Sequence, residues 1–389
     1  MVTDRTTRHP GGEDRTIANK EEAKTFRGMP DGGTMRTNHI MEGTERTNKV
    51  DDSHSPVGVN SDCFILKGVS YKKVECLSES SGEAQIFLVE HDGQEFVLKV
   101  YYPNFDVNKN LMLTIRSFAF EMIVKLYDFG KTYVEGKHRY YELMEYLHGG
   151  TLNKYQLGGD LNRFRRIALQ GAAALAYCHN YNILHKDIKP SNFFFRDDAH
   201  EELVLGDFGI SSMLEKDGKA HRTTQARTPI YAAPEMYSDV IDGVVELTPA
   251  ADFYSLGMTL FALWLGENPM SSNERVMMRQ KNEGRLPRLN ELPETVKHIV
   301  QGLTAVNPMS RWGYEQVEKW FLGEEVAVDI SSPFLRYKNF IVDPERNLVA
   351  DNVHELIPLL IDNERLAINY LYNGRIAGWL EQCGNVKLS

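Results

Sequence analysis

The chain has 389 residues, a net charge of −10, and 42% hydrophobic and 25% charged residues. At roughly 100–200 residues per domain, that length suggests two domains or one large domain with appendages. The balance excludes a collagen-like, wholly disordered or membrane-embedded chain, and the negative charge argues against a general nucleic-acid footprint.

Residues 1–62 contain one aromatic residue, Phe26, and are dense in Thr, Gly, Asp, Arg and Lys. Such a segment buries too little apolar surface to offset its ordering entropy, so it is expected to be a disordered tail. The string Gly33-Thr34-Met35-Arg36-Thr37-Asn38 recurs ten residues later as Gly43-Thr44-Glu45-Arg46-Thr47-Asn48, which places threonines beside charge. The N-terminus shows no apolar signal-peptide core. Cys63, Cys76, Cys178 and Cys383 form no CxxC pair, and a reducing, cytoplasmic location fits them best.

From Cys63 the texture changes. Ile86–Glu90 and Glu95–Tyr101 alternate as strands about a turn at His91-Asp92-Gly93-Gln94, and Arg139–Tyr146 reads as another strand. Over Leu161–His179 the apolar residues recur on one helical face. The run Phe253–Leu265 is apolar but too short to cross a bilayer, so it is expected to be a buried core helix. From about Pro249 to Leu322 the pattern is helical. Strands followed by helices predict an α+β fold of two lobes, the small lobe at about 63–147 and the large lobe at about 148–322. Residues 323–389 open irregularly and then predict helices near Asn352–Ile361 and Asn363–Gln382.

The residues that carry chemistry come in a fixed order. Val97-Leu98-Lys99-Val100 lies on a predicted strand. His185-Lys186-Asp187-Ile188-Lys189-Pro190-Ser191-Asn192 follows, then Asp207-Phe208-Gly209 fifteen residues after Asn192, then Ala233-Pro234-Glu235. This order resembles the eukaryotic-type (Hanks-type) Ser/Thr protein kinase family over about residues 71–322. The resemblance implies a bilobal protein kinase-like fold, ATP and Mg²⁺ as cofactors, and protein Ser/Thr substrates. It implies that Asp187 is the catalytic residue that accepts the substrate hydroxyl's proton or orients that hydroxyl, with Lys189 near the γ-phosphate and Lys99 on the α/β-phosphates. It implies that Asn192 and Asp207 are the metal ligands. Met144, Glu145 and Leu147 would form the adenine-binding hinge, and Ile86, Val97 and Phe194 would enclose the ring. Lys189 with Pro190 resembles the Ser/Thr branch, and Thr228–Glu235 resembles the segment that receives a substrate peptide. Arg311 resembles the arginine that pairs with Glu235, and Asp252–Gly257 resembles the central buried helix.

Three positions depart from that pattern. The phosphate-covering loop, expected as GxGxxGxV, reads Glu79-Ser80-Ser81-Gly82-Glu83-Ala84-Gln85-Ile86. Ser81, Gly82 and Ala84 are small enough for close backbone approach, whereas an inward Glu83 would oppose phosphates. A small-lobe helix glutamate normally pairs with the strand lysine. Between Lys99 and Leu126 the only acids are Asp106 and Glu121, and the predicted helix Asn108–Phe118 has none. Lys186 stands where the family carries arginine, which removes the bidentate fork. Thr223 and Thr224, beside Arg222 and Arg227, are candidate activation-loop phosphoacceptors. The degenerate loop and the ending Tyr370-Leu371-Tyr372-Asn373-Gly374-Arg375 resemble bacterial members. The tail threonines predict autophosphorylation and docking to a phosphothreonine-binding forkhead-associated module. No nucleic-acid or membrane partner is expected. The alternative reading is a catalytically impaired pseudokinase that acts as a scaffold.

Overall fold

A computed structural model describes residues 62–78, 83–105, 107–209, 211–214, 228–237, 247–328, 339–344, 346, 348–350 and 353–382. The threonines of the N-terminal tail, Ser81, Gly82, Thr223, Thr224 and Cys383 lie outside them. The described residues fall into two compact units. One runs to Gly150 and includes Phe194–Gly209; the other comprises Thr151–Phe193 and the residues from Ser211 onward.

The first unit is built on a six-stranded antiparallel sheet in the order β1-β2-β3-β4-β6-β5. Its strands are β1 (Cys63–Leu66), β2 (Val69–Ser78), β3 (Ala84–His91), β4 (Gln94–Tyr101), β5 (Leu126–Val134) and β6 (Lys137–Glu145). The β3–β4 turn places Asp92 at φ 52° and Gly93 at φ 78°, the positive-φ pair that a tight hairpin needs. Period-two alternation then separates the two faces of the sheet. Phe87, Val89, Phe96, Leu98, Val100, Tyr141 and Leu143 form a core cluster on one face. The register aligns Ile86 with Lys99 and Lys99 with Glu142, and likewise Leu88 with Val97 and Val97 with Met144. Those residues therefore share the opposite face. Helix α1 (Lys109–Arg116) starts at Asn108, whose side-chain oxygen accepts from the amides of Asn110 and Leu111. As the sequence predicts, it carries no acid.

The second unit is helical. Helix α2 (Leu161–Asn180) is capped by Asp160 at the amides of Asn162 and Arg163. After the short strand β7 (Ile183–Leu184), helix α3 (Ala250–Leu265) is buried from Ala251 to Leu263. A helix that is apolar on every side belongs inside a core. Gly257 allows this packing, because a Cβ there would lie 2.7 Å from the Leu303 side chain. Helices α4 (Glu274–Asn282), α5 (Glu294–Leu303) and α6 (Tyr314–Phe321) complete it.

The C-terminal stretch is more ordered than its sequence suggests. Phe340–Asp343 pairs with Leu348–Ala350 as a hairpin, and three helices follow at Val353–Asp362, Glu364–Tyr372 and Arg375–Gln382. The predicted helix Asn363–Gln382 is broken at Gly374, at φ 75°. Phe340, Val342, Ala350, Leu356, Tyr370, Ile376, Trp379 and Leu380 make a core cluster of their own, and the Tyr370 hydroxyl donates to the Val342 carbonyl at 2.9 Å.

Candidate active site

Strand alternation in the first sheet positions half of the site residues. Ala84, Ile86, Val97, Lys99 and Met144 share the face away from the core cluster, because cross-strand partners project to the same side. Ile86, Val97 and Met144 are half-buried there, as is Phe194; Ala84 and Leu147 are buried. Glu145, expected to offer its backbone in the hinge, uses its side chain elsewhere. Its carboxylate accepts the Lys125 amide and pairs with Arg196 at 2.8 Å, while its own amide donates to the Lys125 carbonyl at 3.0 Å.

Lys99 is 6% exposed, and its ammonium bonds Asp207 Oδ1 at 2.6 Å. Burial alone would lower the lysine pKa. Asp207 first, then Glu142, more than reverse that, so the ammonium is held above its ordinary value. Asp207 sits at φ 58°, a left-handed conformation that Asp tolerates and that recurs at functional sites. A Cβ on Gly209 would lie 3.1 Å from Lys99 Nζ, 3.2 Å from Glu83 Oε2 and 3.4 Å from Asp207 Oδ1. Glu83 thus points inward, toward the lysine, the orientation that its sequence context made unfavourable for phosphates.

In the second unit, side chains converge on Asp187. Lys189 Nζ lies 2.7 Å from Asp187 Oδ2, Thr228 Oγ1 donates to Oδ1 at 2.9 Å, and Asn192 Nδ2 donates to Oδ2 at 3.1 Å and to the Asp187 carbonyl at 2.8 Å. Lys189 also donates to Thr228 Oγ1 at 3.1 Å. Asn192 Nδ2 is thereby used, and its Oδ1 accepts from the Ser191 hydroxyl at 3.4 Å. That amide oxygen and the carboxylate of Asp207 are both hard donors, the kind that suits Mg²⁺.

The loop carrying Asp187 hangs from a residue whose role the sequence reading left unassigned. Asp252, on α3 and fully buried, accepts from the amides of His185 and Lys186, each at 2.8 Å, and from His179 Nε2 at 2.9 Å. Burial pushes its carboxyl up, but the His179 hydrogen bond and neighbouring charge hold it below the ordinary value. These two amide bonds hold Lys186 at φ 71°, a costly conformation for a lysine. Burial lowers the Lys186 pKa to about 8, against the pull of Asp252. Downstream, the Arg311 guanidinium grips Glu235 at 2.6 and 3.2 Å and also donates to the carbonyls of Ala250, Ala305 and Val306. The expected Arg311–Glu235 pair is therefore present, as a bidentate bond. Lys281, fully buried on α4, ties the same segment by donating to the carbonyls of Pro229 and Ala232 at 2.8 and 2.7 Å.

The sequence profile of the family described as Protein kinase domain matches residues 80–321. Over 312 residues the chain is 26% identical to a sucrose non-fermenting protein kinase 1 of Fusarium virguliforme, covering 76% of this chain and 43% of the relative. Over 212 residues it is 32% identical to a putative mitogen-activated protein kinase kinase kinase 7-like protein of Drosophila melanogaster, covering 50% and 51%. The chain spans about half the length of these curated relatives.

Proposed function

The chain belongs to the protein kinase domain family, and on that premise we propose that it transfers the γ-phosphoryl group of MgATP to Ser and Thr hydroxyls of proteins, its own included. The observation that carries this is the cluster on Asp187, where Thr228 already presents a hydroxyl to Oδ1 in the way a substrate hydroxyl would arrive. In the reaction the substrate oxygen forms a bond to the γ-phosphorus, the bond from that phosphorus to the β-bridging oxygen breaks, and ADP leaves. The hydroxyl proton passes to Asp187. Lys189, fixed against Asp187, offsets charge that gathers on the transferring group. Lys99 holds the α/β-phosphates as a point charge. Asn192 and Asp207 would hold Mg²⁺, which when bound neutralises phosphate charge.

The small-residue loop and the Tyr370–Arg375 string support membership of the bacterial branch of the family. A soluble, cytoplasmic setting is part of the same proposal; among the described residues no helix is long and apolar enough to cross a membrane. Docking of the phosphorylated tail to a forkhead-associated module is a further part, resting on the repeated threonines.

Incubating the protein and its Asp187→Asn variant with MgATP, followed by phosphosite mass spectrometry, tests catalysis. Phosphate on the wild type and none on the variant is the expected result. Glu83 beside Lys99 favours the second reading, a catalytically impaired pseudokinase that acts as a scaffold. MgATP binding with no transfer to itself or to a generic protein substrate would establish that reading instead.

A further inference from the structure

A buried strand lysine needs a carboxylate that holds its ammonium in place while phosphates come and go. Here Asp207, the candidate cation ligand, bonds the ammonium at 2.6 Å, whereas in the family a second acid pairs with the lysine. In this chain helix α1, which normally supplies the second acid, reads Lys109-Asn110-Leu111-Met112-Leu113-Thr114-Ile115-Arg116. The nearby Glu121 precedes strand β5 and is exposed.

We propose that Glu142, on strand β6, is the positioning residue that replaces the helix glutamate and holds Lys99 from across the sheet. This rests on the phosphotransfer reading above. Lys99 and Glu142 are direct cross-strand partners. Directly opposed residues have Cβ atoms roughly 4.5–5.5 Å apart and share a face. Glu142 is 4% exposed, so its carboxylate has almost no water to solvate it. Burial holds its carboxyl above the ordinary value; Lys99 and the Tyr101 hydrogen bond pull it down, while Asp207 and Glu83 push it up.

One oxygen of Glu142 is pinned. The Tyr101 hydroxyl donates to Oε1 at 2.5 Å. Tyr101 lies two residues beyond Lys99 on the same strand face, its ring is stacked on Phe105 at 4.4 Å, and Lys99 Nζ sits 5.0 Å from the centre of that ring. Tyr101 therefore orients the carboxylate, and the carboxylate and the ring together confine the ammonium. Glu83 also faces Lys99, but from a half-exposed position beside the phosphate-covering loop. It is placed to compete with a nucleotide, whereas Glu142 lies in the interior of the sheet and remains beside the lysine. A helix glutamate moves with its helix. A strand glutamate does not, so this design couples the lysine to the sheet rather than to α1.

A double-mutant cycle over Glu142→Gln and Lys99→Met tests the proposal, read by the urea unfolding midpoint, MgATP affinity and steady-state kinetics. Glu142→Gln in the Lys99 background should lower kcat/KM for ATP about 10–100-fold, the cost of a misplaced phosphate contact. Glu142→Asp should restore part of that loss. In the Lys99→Met background Glu142→Gln should change neither nucleotide affinity nor the unfolding midpoint further. Losses that multiply across the cycle would overturn the proposal, as would Tyr101→Phe reproducing the whole kinetic effect of Glu142→Gln, because Glu142 would then serve only the tyrosine. The unfolding cycle needs no turnover. If the wild type transfers no phosphate, catalysis fails as a reading while coupling of the two residues in unfolding still supports their pairing, and its absence refutes it.

Discussion

Replacing Asp252 by Asn changes one atom in a fully buried side chain and should disable the loop that carries Asp187. Asp252 Oδ1 accepts the Lys186 amide and Oδ2 accepts both the His185 amide and His179 Nε2. An Asn has one oxygen and one NH₂, so in either orientation a donor faces a buried backbone donor. An unsatisfied buried amide costs about 1–3 kcal/mol, and the bonds lost here are charge-assisted, about twice as strong as neutral ones. The expected destabilisation is about 2–4 kcal/mol, a large share of the ~5–15 kcal/mol that holds a domain folded. With its amide released, Lys186 should relax from φ 71° and carry Asp187 with it. A displacement of about 1 Å at a reacting group costs on the order of 100-fold in rate. Urea unfolding and kcat, measured on the same Asp252→Asn preparation below its unfolding midpoint, provide the assay. A variant whose stability falls by less than about 0.5 kcal/mol and whose kcat stays within about threefold would refute the reasoning, since removing the carboxylate would then have left buried amides unpaired at no cost.

Burial lowers the pKa of Lys281 to about 7, from 10.5, against the pull of Glu235. Its two short bonds to carbonyls match the two N–H groups of a neutral amine. Between about pH 7 and pH 10 the unfolded chain binds this proton and the folded chain does not, so the Lys281 contribution to stability rises with pH across that window and its charge penalty is fully present below it. Urea midpoints across the window should therefore show a smaller rise for Lys281→Met than for the wild type; equal rises would show that another group titrates. Glu83→Gln removes a carboxylate beside Lys99 and Asp207 and should lower the KM for ATP about 3–10-fold, as expected when a like charge a few ångströms from phosphates is neutralised in a partly wet site. An unchanged or raised KM would mean that Glu83 turns away when nucleotide binds.

Much of the site was legible because its parts are local in sequence. The spacing from His185 to Asn192 places Asp187, Lys189 and Asn192 within one turn of chain, and the structure brings all three together with Thr228. Alternation in Glu95–Tyr101 put Val97 and Lys99 on one face, and the register agrees. The same alternation in Arg139–Tyr146 places Glu142, two residues before Met144, on the same face. The stretch of chain after Lys99 carries no acid on its helix, whereas Glu142 lies on a neighbouring strand, out of reach of a local pattern. The C-terminal hairpin is not legible in the sequence for another reason. Phe340–Asp343 and Leu348–Ala350 are too short to show a period, and it is their pairing and the packing of Trp379 and Tyr370 on Phe340 that define them.

The sequence by itself determined the family, the order of the chemical groups, the faces of the strands and helices, and the absence of an acid from helix α1. Each of these depends on residue identity and on periods of two or 3.6 residues. Only the tertiary structure decided what Lys99, Glu83 and Asp252 touch. Asp252 meets the amides of His185 and Lys186 across 67 and 66 residues of chain, and the β4–β6 register sets Glu142 opposite Lys99. Such contacts are set when distant segments pack and pair to bury their apolar faces. No local pattern carries that information, because a shift of one residue in register would place Glu142 on the core face and leave the lysine without it.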